Sequence, residues 1–421
     1  MSATSAEAEG IAAPPRIAQP GQPLRVLQII SSVAAVNGGA STAMWSTLKA
    51  LQNRNVHSEL VTTNEDGLHK LMDVPFGGFV RCGGHRVRYF PARGDRYTTS
   101  WPLARWLLAH VRDYDVVHVH GLFRFAPVVA AHTALLRGVP YVLTLHNTLG
   151  EWGLRNRRRI LKRLSIGLIE GRMIDGASIV HLCSCDELSQ VTQVRRLGER
   201  SRVFPLGVDV SPAADGAPDE DVAKHLERLA GRSVVLFLSR IHEIKGVDRL
   251  LEAFAAVRRA RPDAILAIAG TGSPQLVAGL REQARRLGIA DSTMWLGFVQ
   301  GQQKQQLFAS AQVFVLPSHS ENFGYAVVEA MEAGLPVITT RNVPAGQFVL
   351  DANAGIVYDG STAQLQQGIL KILEMPEDQR RALRTRAAGE IHDRLSLRSY
   401  GDALEETYRE AASVCPLQRL R

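Results

Sequence analysis

The feature that most constrains this chain is a repeated alternation. Short, almost purely apolar runs end at glycine-containing turns, and apolar residues at helical spacing follow. Residues 26–30 form the first run, Gly38-Gly39 the first turn, and Met44, Leu48 and Leu51 the first stripe. Runs this apolar are typical of strands buried on both faces, and strand, turn and helix in that order open a parallel α/β unit. Further strands are expected at 116–119 and 141–145, with weaker signals at 178–183 and 203–204. The pattern restarts at 234–238, with Val247, Leu250, Leu251, Phe254 and Val257 as the helical stripe behind it. It continues through strands at 264–269, 294–297, 313–316 and 336–340, and from about residue 361 the chain reads as helices. Residues 211–230 are small, acidic and turn-rich and read as a joint. The expectation is two doubly wound α/β domains, which suits a length of 421 residues.

Composition narrows the class further. With 45% hydrophobic and 21% charged residues, collagen, coiled coil and wholesale disorder are excluded. No apolar run approaches the ~18 residues of a membrane span. Residues 1–22 lack both the basic start and the apolar core of a signal peptide and read as a flexible tail. Cys82, Cys183, Cys185 and Cys415 are too scattered for a disulfide framework or a zinc site, as expected of reduced cytoplasmic thiols. A net charge of +8 is mild for the length and favours anionic partners such as phosphates or an anionic membrane surface, without choosing between them.

Open parallel sheets bind ligands at the carboxyl ends of their strands, so residues just past strands carry the functional weight. The richest such segment is Pro317-Ser318-His319-Ser320-Glu321-Asn322-Phe323-Gly324-Tyr325, followed by a helix carrying Glu329. Amides at a helix start favour an anion, so Phe323, Gly324 and Tyr325 can cradle a phosphate. Glu321 and Glu329 are suited to accept hydrogen bonds from sugar hydroxyls, although acidic residues near a helix start also serve as simple caps. Glu332, one turn on, reads as a surface residue. In Phe237-Leu238-Ser239-Arg240-Ile241-His242-Glu243-Ile244-Lys245-Gly246, Arg240 closes a strand and Lys245 precedes a helix. A forked guanidinium and an ammonium can neutralise a departing diphosphate without a metal.

Other motifs carry less. His118 and His120 share one strand face, but no third ligand follows at zinc spacing. Asp113-Tyr114-Asp115 has the letters of a metal-binding Asp-x-Asp but precedes its strand and reads as a turn. Asp219-Glu220-Asp221 lies in the joint and reads as a helix cap. Gly38-Gly39 without a full Gly-x-Gly-x-x-Gly argues against a dinucleotide cofactor.

The segment from Pro317 through Glu321 and Glu329 to Pro336-Val337 resembles the Glu-x7-Glu signature of retaining GT-B glycosyltransferases of the family 4 type, the group 1 glycosyltransferases. The resemblance spans about residues 25–410. It implies an α/β GT-B fold, two Rossmann-like doubly wound domains facing across a cleft. It divides the chain into a tail at 1–22, an N-terminal acceptor domain at 23–205, a C-terminal nucleotide-sugar donor domain at 206–394, and a helix at 395–421 returning to the first domain. By the same resemblance Glu321 sits beside the reacting carbon, His146 reaches the donor sugar, and Glu329 holds the ribose. Arg240 and Lys245 take the diphosphate, with Gly38, Gly39, Gly270, Phe298, Asn322, Phe323, Gly324 and Tyr325 around the donor. His120, Arg124 and Asn147 are candidates for the acceptor side. The family commonly has Asn where this chain has Leu206.

The reaction so implied moves a hexosyl group from a nucleoside-diphosphate sugar to an acceptor hydroxyl with retention, without metal or cofactor. The family's usual setting is bacterial surface polysaccharide or glycolipid assembly on a lipid carrier. A GT-B nucleotide-sugar epimerase or hydrolase, or a non-catalytic nucleotide-sugar-binding protein, would share the phosphate cradle. The Glu-x7-Glu continuation weighs against the first, and the intact Glu321, Arg240 and Lys245 against the second. No motif supports nucleic-acid binding. Residues 155–163 carry six cations in nine positions, and Leu154, Ile160, Leu161, Leu164 and Leu168 lie near one helical stripe. A helix of this kind either packs its stripe inward or lies on an anionic membrane surface. The expected location is cytoplasmic, peripheral on the inner face of the membrane, with a lipid-linked saccharide as acceptor.

Overall fold

The computed structural model describes residues 22–67, 70–95, 97–149, 159–209 and 227–414. Two sheets organise them. The first has strands β1 (Leu24–Ile29), β2 (Val56–Thr63), β3 (Val80–Cys82), β4 (His85–Phe90), β5 (Val116–His120), β6 (Tyr141–Thr144), β7 (Ile179–Leu182) and β8 (Ser201–Val203), in the spatial order β3-β4-β2-β1-β5-β6-β7-β8. All neighbours are parallel except β3 and β4. The second has β9 (Ser233–Leu238), β10 (Ala264–Ala269), β11 (Thr293–Gly297), β12 (Val313–Leu316), β13 (Val337–Thr340) and β14 (Gly355–Tyr358), parallel throughout in the order β11-β10-β9-β12-β13-β14. Each is the doubly wound pattern, and the strand order reverses beside β1 and β5 in one sheet and beside β9 and β12 in the other.

The central strands follow from their sequence. Val234, Val235, Leu236 and Phe237 are fully buried, and each such side chain removed from water contributes about 1.5–3 kcal/mol. The helix Val247–Ala260 buries Val247, Leu250, Leu251, Phe254 and Val257, with Asp248 in its first turn and Arg258 and Arg259 in its last, as the helix dipole favours. Strands β2, β3, β4 and β14 go beyond the sequence expectation. In β4 (HRVRYF) Arg86 is exposed and Arg88 half-buried, so charged residues interrupt the apolar ones. In β14, at the sheet edge, three of four residues are half-buried. A search for continuous apolar runs passes over such partly solvated strands.

The chain crosses between the sheets twice, side by side. Val208 bridges Ser396, and the Val208 N–H donates to the Leu395 carbonyl at 2.9 Å. Beyond the second crossing, the helix Leu397–Ser413 packs on the helix Gly39–Ala50 and on β1, β5 and β6. Thr47 and Tyr400 share a hydroxyl hydrogen bond of 3.0 Å, and Arg54 pairs with Asp402 at 2.6 Å. Leu206 is buried in the first crossing, so an apolar side chain is well accommodated where an amide was expected. Asp115 accepts the Arg25 N–H at 2.8 Å ahead of β5, a turn role at the amino end of the sheet. The Asp219-Glu220-Asp221 segment and Cys415 lie outside the described residues.

Candidate active site

The carboxyl ends of the central strands of both sheets face one another across a cavity of about 560 Å3, within the usual size range of ligand pockets. Both topological switch points open into it. Residues after β1 supply Gly38 and Gly39, those after β9 supply Arg240 and Lys245, and those after β12 supply Glu321, Asn322 and Phe323.

The wall formed by the second sheet carries two ion pairs. Lys245 Nζ lies 2.5 Å from Glu321 Oε1, and the two side chains are only 10% and 11% exposed. Ser318 Oγ donates to the same carboxylate oxygen at 2.8 Å. Lys304 Nζ lies 2.8 Å from Glu329 Oε1. Arg240, exposed at the end of β9, has no carboxylate partner among the described residues. An Arg and two Lys thus line one wall with two carboxylates, a distribution suited to an anion flanked by hydroxyl groups. Gly324 caps the helix Tyr325–Glu332, whose first amides line the cavity. Phe323 is buried, its ring 5.4 Å from Tyr325 and 6.2 Å from Phe348, so its backbone faces the cleft. Phe298 is half exposed at the rim beside Gly270. Glu332 differs from the expected surface residue. It is half-buried, and burial first, then Glu329 and Asp209, push its pKa up to about 7.

The opposing wall begins at Gly38-Gly39. Gly38 has φ of +62°, and a Cβ there would lie 3.4 Å from Arg240 Nε. Both the conformation and the approach of the Arg240 side chain favour glycine. Further along, His146 and Asn147 line the cavity in consecutive left-handed conformations, each with φ of +52°. Such backbone costs of order 1–3 kcal/mol per residue and persists only where the surroundings hold it. Here the holders are identifiable. The Glu187 carboxylate accepts the Asn147 N–H and, at 2.7 Å, the Cys183 N–H. The Asn147 side-chain amide donates to the Glu321 carbonyl at 2.6 Å, tying the two walls together. His146 Nε2 lies 3.2 Å from His120 Nδ1. Burial pushes the Glu187 pKa up to about 7 against the lowering pull of those two amides.

The structure therefore brings Gly38, Gly39, His146, Asn147, Arg240, Lys245, Gly270, Phe298, Glu321, Asn322, Phe323, Gly324, Tyr325 and Glu329 to one cavity. His120 and Arg124 stay off its wall. His120 is buried beneath His146, and Arg124 stands at the start of the helix Phe125–Arg137. Both nitrogens of His118 and of His120 are engaged by side chains rather than left for a metal. Among the described residues no group of three or more His, Cys, Asp or Glu could hold a metal ion. Lys304 and Glu187 were not anticipated. Lys304 sits in a Gln-rich helix with no motif to mark it. Ser184-Cys185-Asp186-Glu187 does have the spacing of a capping box. Ser184 caps as expected, but the glutamate turns to the Asn147 amide instead.

Known proteins share the sequence pattern and the fold of this chain. Residues 38–207 match the glycosyl transferase 4-like domain, and residues 219–389 match the glycosyl transferases group 1 family. A D-inositol 3-phosphate glycosyltransferase of Segniliparus rotundus is 33% identical over 415 residues, covering 91% of this chain and 88% of the relative. An alpha-monoglucosyldiacylglycerol synthase of Streptococcus pneumoniae is 24% identical, covering 89% of this chain and 82% of the relative. Among solved structures, Anabaena HepE in complex with UDP and glucose superposes with a TM-score of 0.71 at 21% identity, covering 92% of this chain and 99% of that one.

Proposed function

Because this chain belongs to the group 1 glycosyltransferases and has their GT-B fold, we propose that it transfers a hexosyl group from a nucleoside-diphosphate sugar to an acceptor hydroxyl, with retention of anomeric configuration. The observation that carries this reading is the wall of the cleft where Lys245–Glu321 and Lys304–Glu329 alternate beside Arg240. In this reading the cations receive the diphosphate, Glu321 faces the sugar, and Glu329 takes the ribose. The 23–205 domain binds the acceptor and the 206–394 domain binds the donor. Retention rests on the resemblance to the retaining family 4 type; the opposite wall presents His146 but no carboxylate among the described residues. A front-face path needs no separate base, because the departing diphosphate oxygen can take the acceptor proton as the new glycosidic bond forms.

The same cations support a metal-independent reaction. Incubation with UDP-glucose or GDP-mannose in excess EDTA is expected to release nucleotide at the same rate as with added metal. Loss of nearly all activity, restored by manganese or magnesium, overturns this. The anomeric configuration of the first product, read by NMR, tests retention. Nucleotide release without any transfer product on any acceptor would favour a hydrolase or epimerase instead.

We place the reaction at the cytoplasmic face of a membrane, in surface polysaccharide or glycolipid assembly, with a lipid-linked acceptor. Residues 155–158 of the basic segment lie outside the described residues, as do the side chains of 159–161. The next turns of the chain support the proposal. Leu164 and Leu168 are 57% and 67% exposed, so this part of the apolar stripe is not absorbed by the core. Among the described residues no helix is long and apolar enough to cross a membrane. Each cation near an anionic leaflet contributes roughly 1 kcal/mol, screened over about 8 Å at physiological ionic strength. Flotation is expected to show binding to anionic vesicles at low salt, weakened by high salt and by changing Arg157, Arg158 and Arg159 to Gln. No binding at low salt, or unchanged binding by the triple variant, removes the membrane role from this segment.

A further inference from the structure

Beneath His146 runs a continuous buried chain of side chains that the proposed transfer does not use. It starts at the Phe204 carbonyl in the first crossing and ends at the cleft. His181 Nε2 is 3.0 Å from that carbonyl, and His181 Nδ1 is 2.9 Å from Thr144 Oγ1. Thr144 Oγ1 is 2.7 Å from His118 Nε2, and His118 Nδ1 is 2.7 Å from the Tyr408 hydroxyl. Gln28 Nε2 is 3.0 Å from that hydroxyl, and Gln28 Oε1 is 3.0 Å from His120 Nε2. His120 Nδ1 then meets His146 Nε2 at 3.2 Å. His181, Thr144, His118, Tyr408 and Gln28 are fully buried.

The direction of every bond is set by the first. A backbone carbonyl only accepts, so His181 carries its proton on Nε2. Burial pushes the pKa values of His181 and His146 down to about 4 and holds those of His118 and His120 well below the usual imidazole value. All four rings are therefore neutral at neutral pH, each with one N–H. His181 Nδ1 is bare and takes the Thr144 proton. Thr144 oxygen must then accept from His118 Nε2–H. His118 Nδ1 is bare in turn and takes the Tyr408 proton. Tyr408 oxygen is left to accept from the Gln28 amide nitrogen, which turns the Gln28 oxygen toward His120. His120 donates from Nε2, so its Nδ1 is bare and must receive a proton from His146 Nε2. His146 ends with an unprotonated Nδ1, which makes no hydrogen bond among the described residues.

We infer that Tyr408, on the C-terminal helix, is a positioning residue that fixes His146 as its Nε2–H tautomer, so that the ring offers a bare Nδ1 acceptor to a substrate hydroxyl in the cleft. The substrate half of this inference rests on the proposed sugar transfer, whereas the tautomer belongs to the ligand-free protein. Without the Tyr408 hydroxyl, Gln28 can turn its amide over, and His120 and His146 can then exchange tautomers together. The returning helix in this way bears on the cleft as well as on the stability of the first sheet.

The test is 15N NMR of the full chain labelled at histidine, near neutral pH, with His146→Gln assigning the resonances. His146 is expected as a single Nε2–H tautomer in the parent protein. Tyr408→Phe is expected to give a mixed or averaged tautomer. With whichever of UDP-glucose or GDP-mannose is turned over, kcat should fall roughly twofold to tenfold, the range set by one neutral hydrogen bond. KM for the donor should change little. Gln28→Met cuts the same path without touching the C-terminal helix and should reproduce the tautomer change if Tyr408→Phe folds poorly. An Nδ1–H tautomer in the parent, or one unchanged tautomer in both variants, overturns the relay. A changed tautomer with unchanged kcat overturns the contact between His146 and substrate, while donor turnover itself reports separately on the proposed transfer.

Discussion

Glu321→Ala is expected to lower transfer by at least about a hundredfold, the effect of removing one group placed at a developing charge, while nucleotide affinity is kept. The structure gives a reason for both halves. In the free protein the Glu321 carboxylate is occupied by Lys245 and Ser318. Truncation deletes the carboxylate proposed to face the sugar and releases Lys245, the ammonium proposed to hold the diphosphate. Affinity for UDP or GDP should therefore stay level or rise. The Glu321 backbone still accepts from Asn147 and still donates to the Asn342 carbonyl, so the loop keeps its anchors. Glu329→Ala provides the contrast. Its loss removes the proposed ribose acceptor and should weaken nucleotide binding by about 1–3 kcal/mol with a smaller effect on kcat. Calorimetric titration of UDP and GDP into both variants decides the assignment. Greater loss of affinity in Glu321→Ala than in Glu329→Ala would show that the roles are misassigned.

That contrast also shows what could be read from the sequence. The 317–337 segment was legible because its chemistry is local: one strand end, one loop and one helix start hold both glutamates. Arg240 and Lys245 were legible for the same reason, as residues just past a strand. Their pairing was not. Lys245 meets Glu321, and Asn147 meets the Glu321 carbonyl, across 76 and 174 residues of chain. The first contact depends on β9 and β12 lying side by side in one sheet, the second on how the two domains close on one another, and no local period encodes either. Lys304 stands in a helix whose neighbours are mostly glutamines, so neither charge clustering nor spacing singles it out. Strand alternation shows which face His120 takes, and so suggests the acceptor side. Alternation does not show that another layer, the returning helix with Tyr408, covers that face. The fold was legible where strands are buried on both faces, as in β9 and β10, and less so at β4 and β14, where solvent tolerates polar residues.

Arg240→Ala and Lys245→Ala are each expected to slow donor cleavage by about a hundredfold, equivalent to ~3 kcal/mol of lost transition-state stabilisation. Charge accumulates on the departing diphosphate as the glycosidic bond breaks, so cations aimed at it act more strongly on the transition state than on the bound donor. The two changes differ in their side effects. Arg240 has no carboxylate partner among the described residues, and its side chain packs against Gly38. Its removal should cost charge and loosen the contact between the walls. Lys245 is paired, and its loss leaves the Glu321 carboxylate, only 11% exposed, without its cation. An uncompensated carboxylate at the proposed sugar site should raise KM for the donor as well as lower kcat. Arg240→Lys keeps the charge but loses the planar fork and should recover only part of the rate. In the proposed reaction both cations serve one diphosphate, so the double variant should fall short of the product of the single effects. Single-turnover cleavage of the donor, with kcat and KM resolved, checks these expectations. Parent-like turnover in either alanine variant, or strict multiplication in the double variant, would mean that the two cations do not act together on the leaving group.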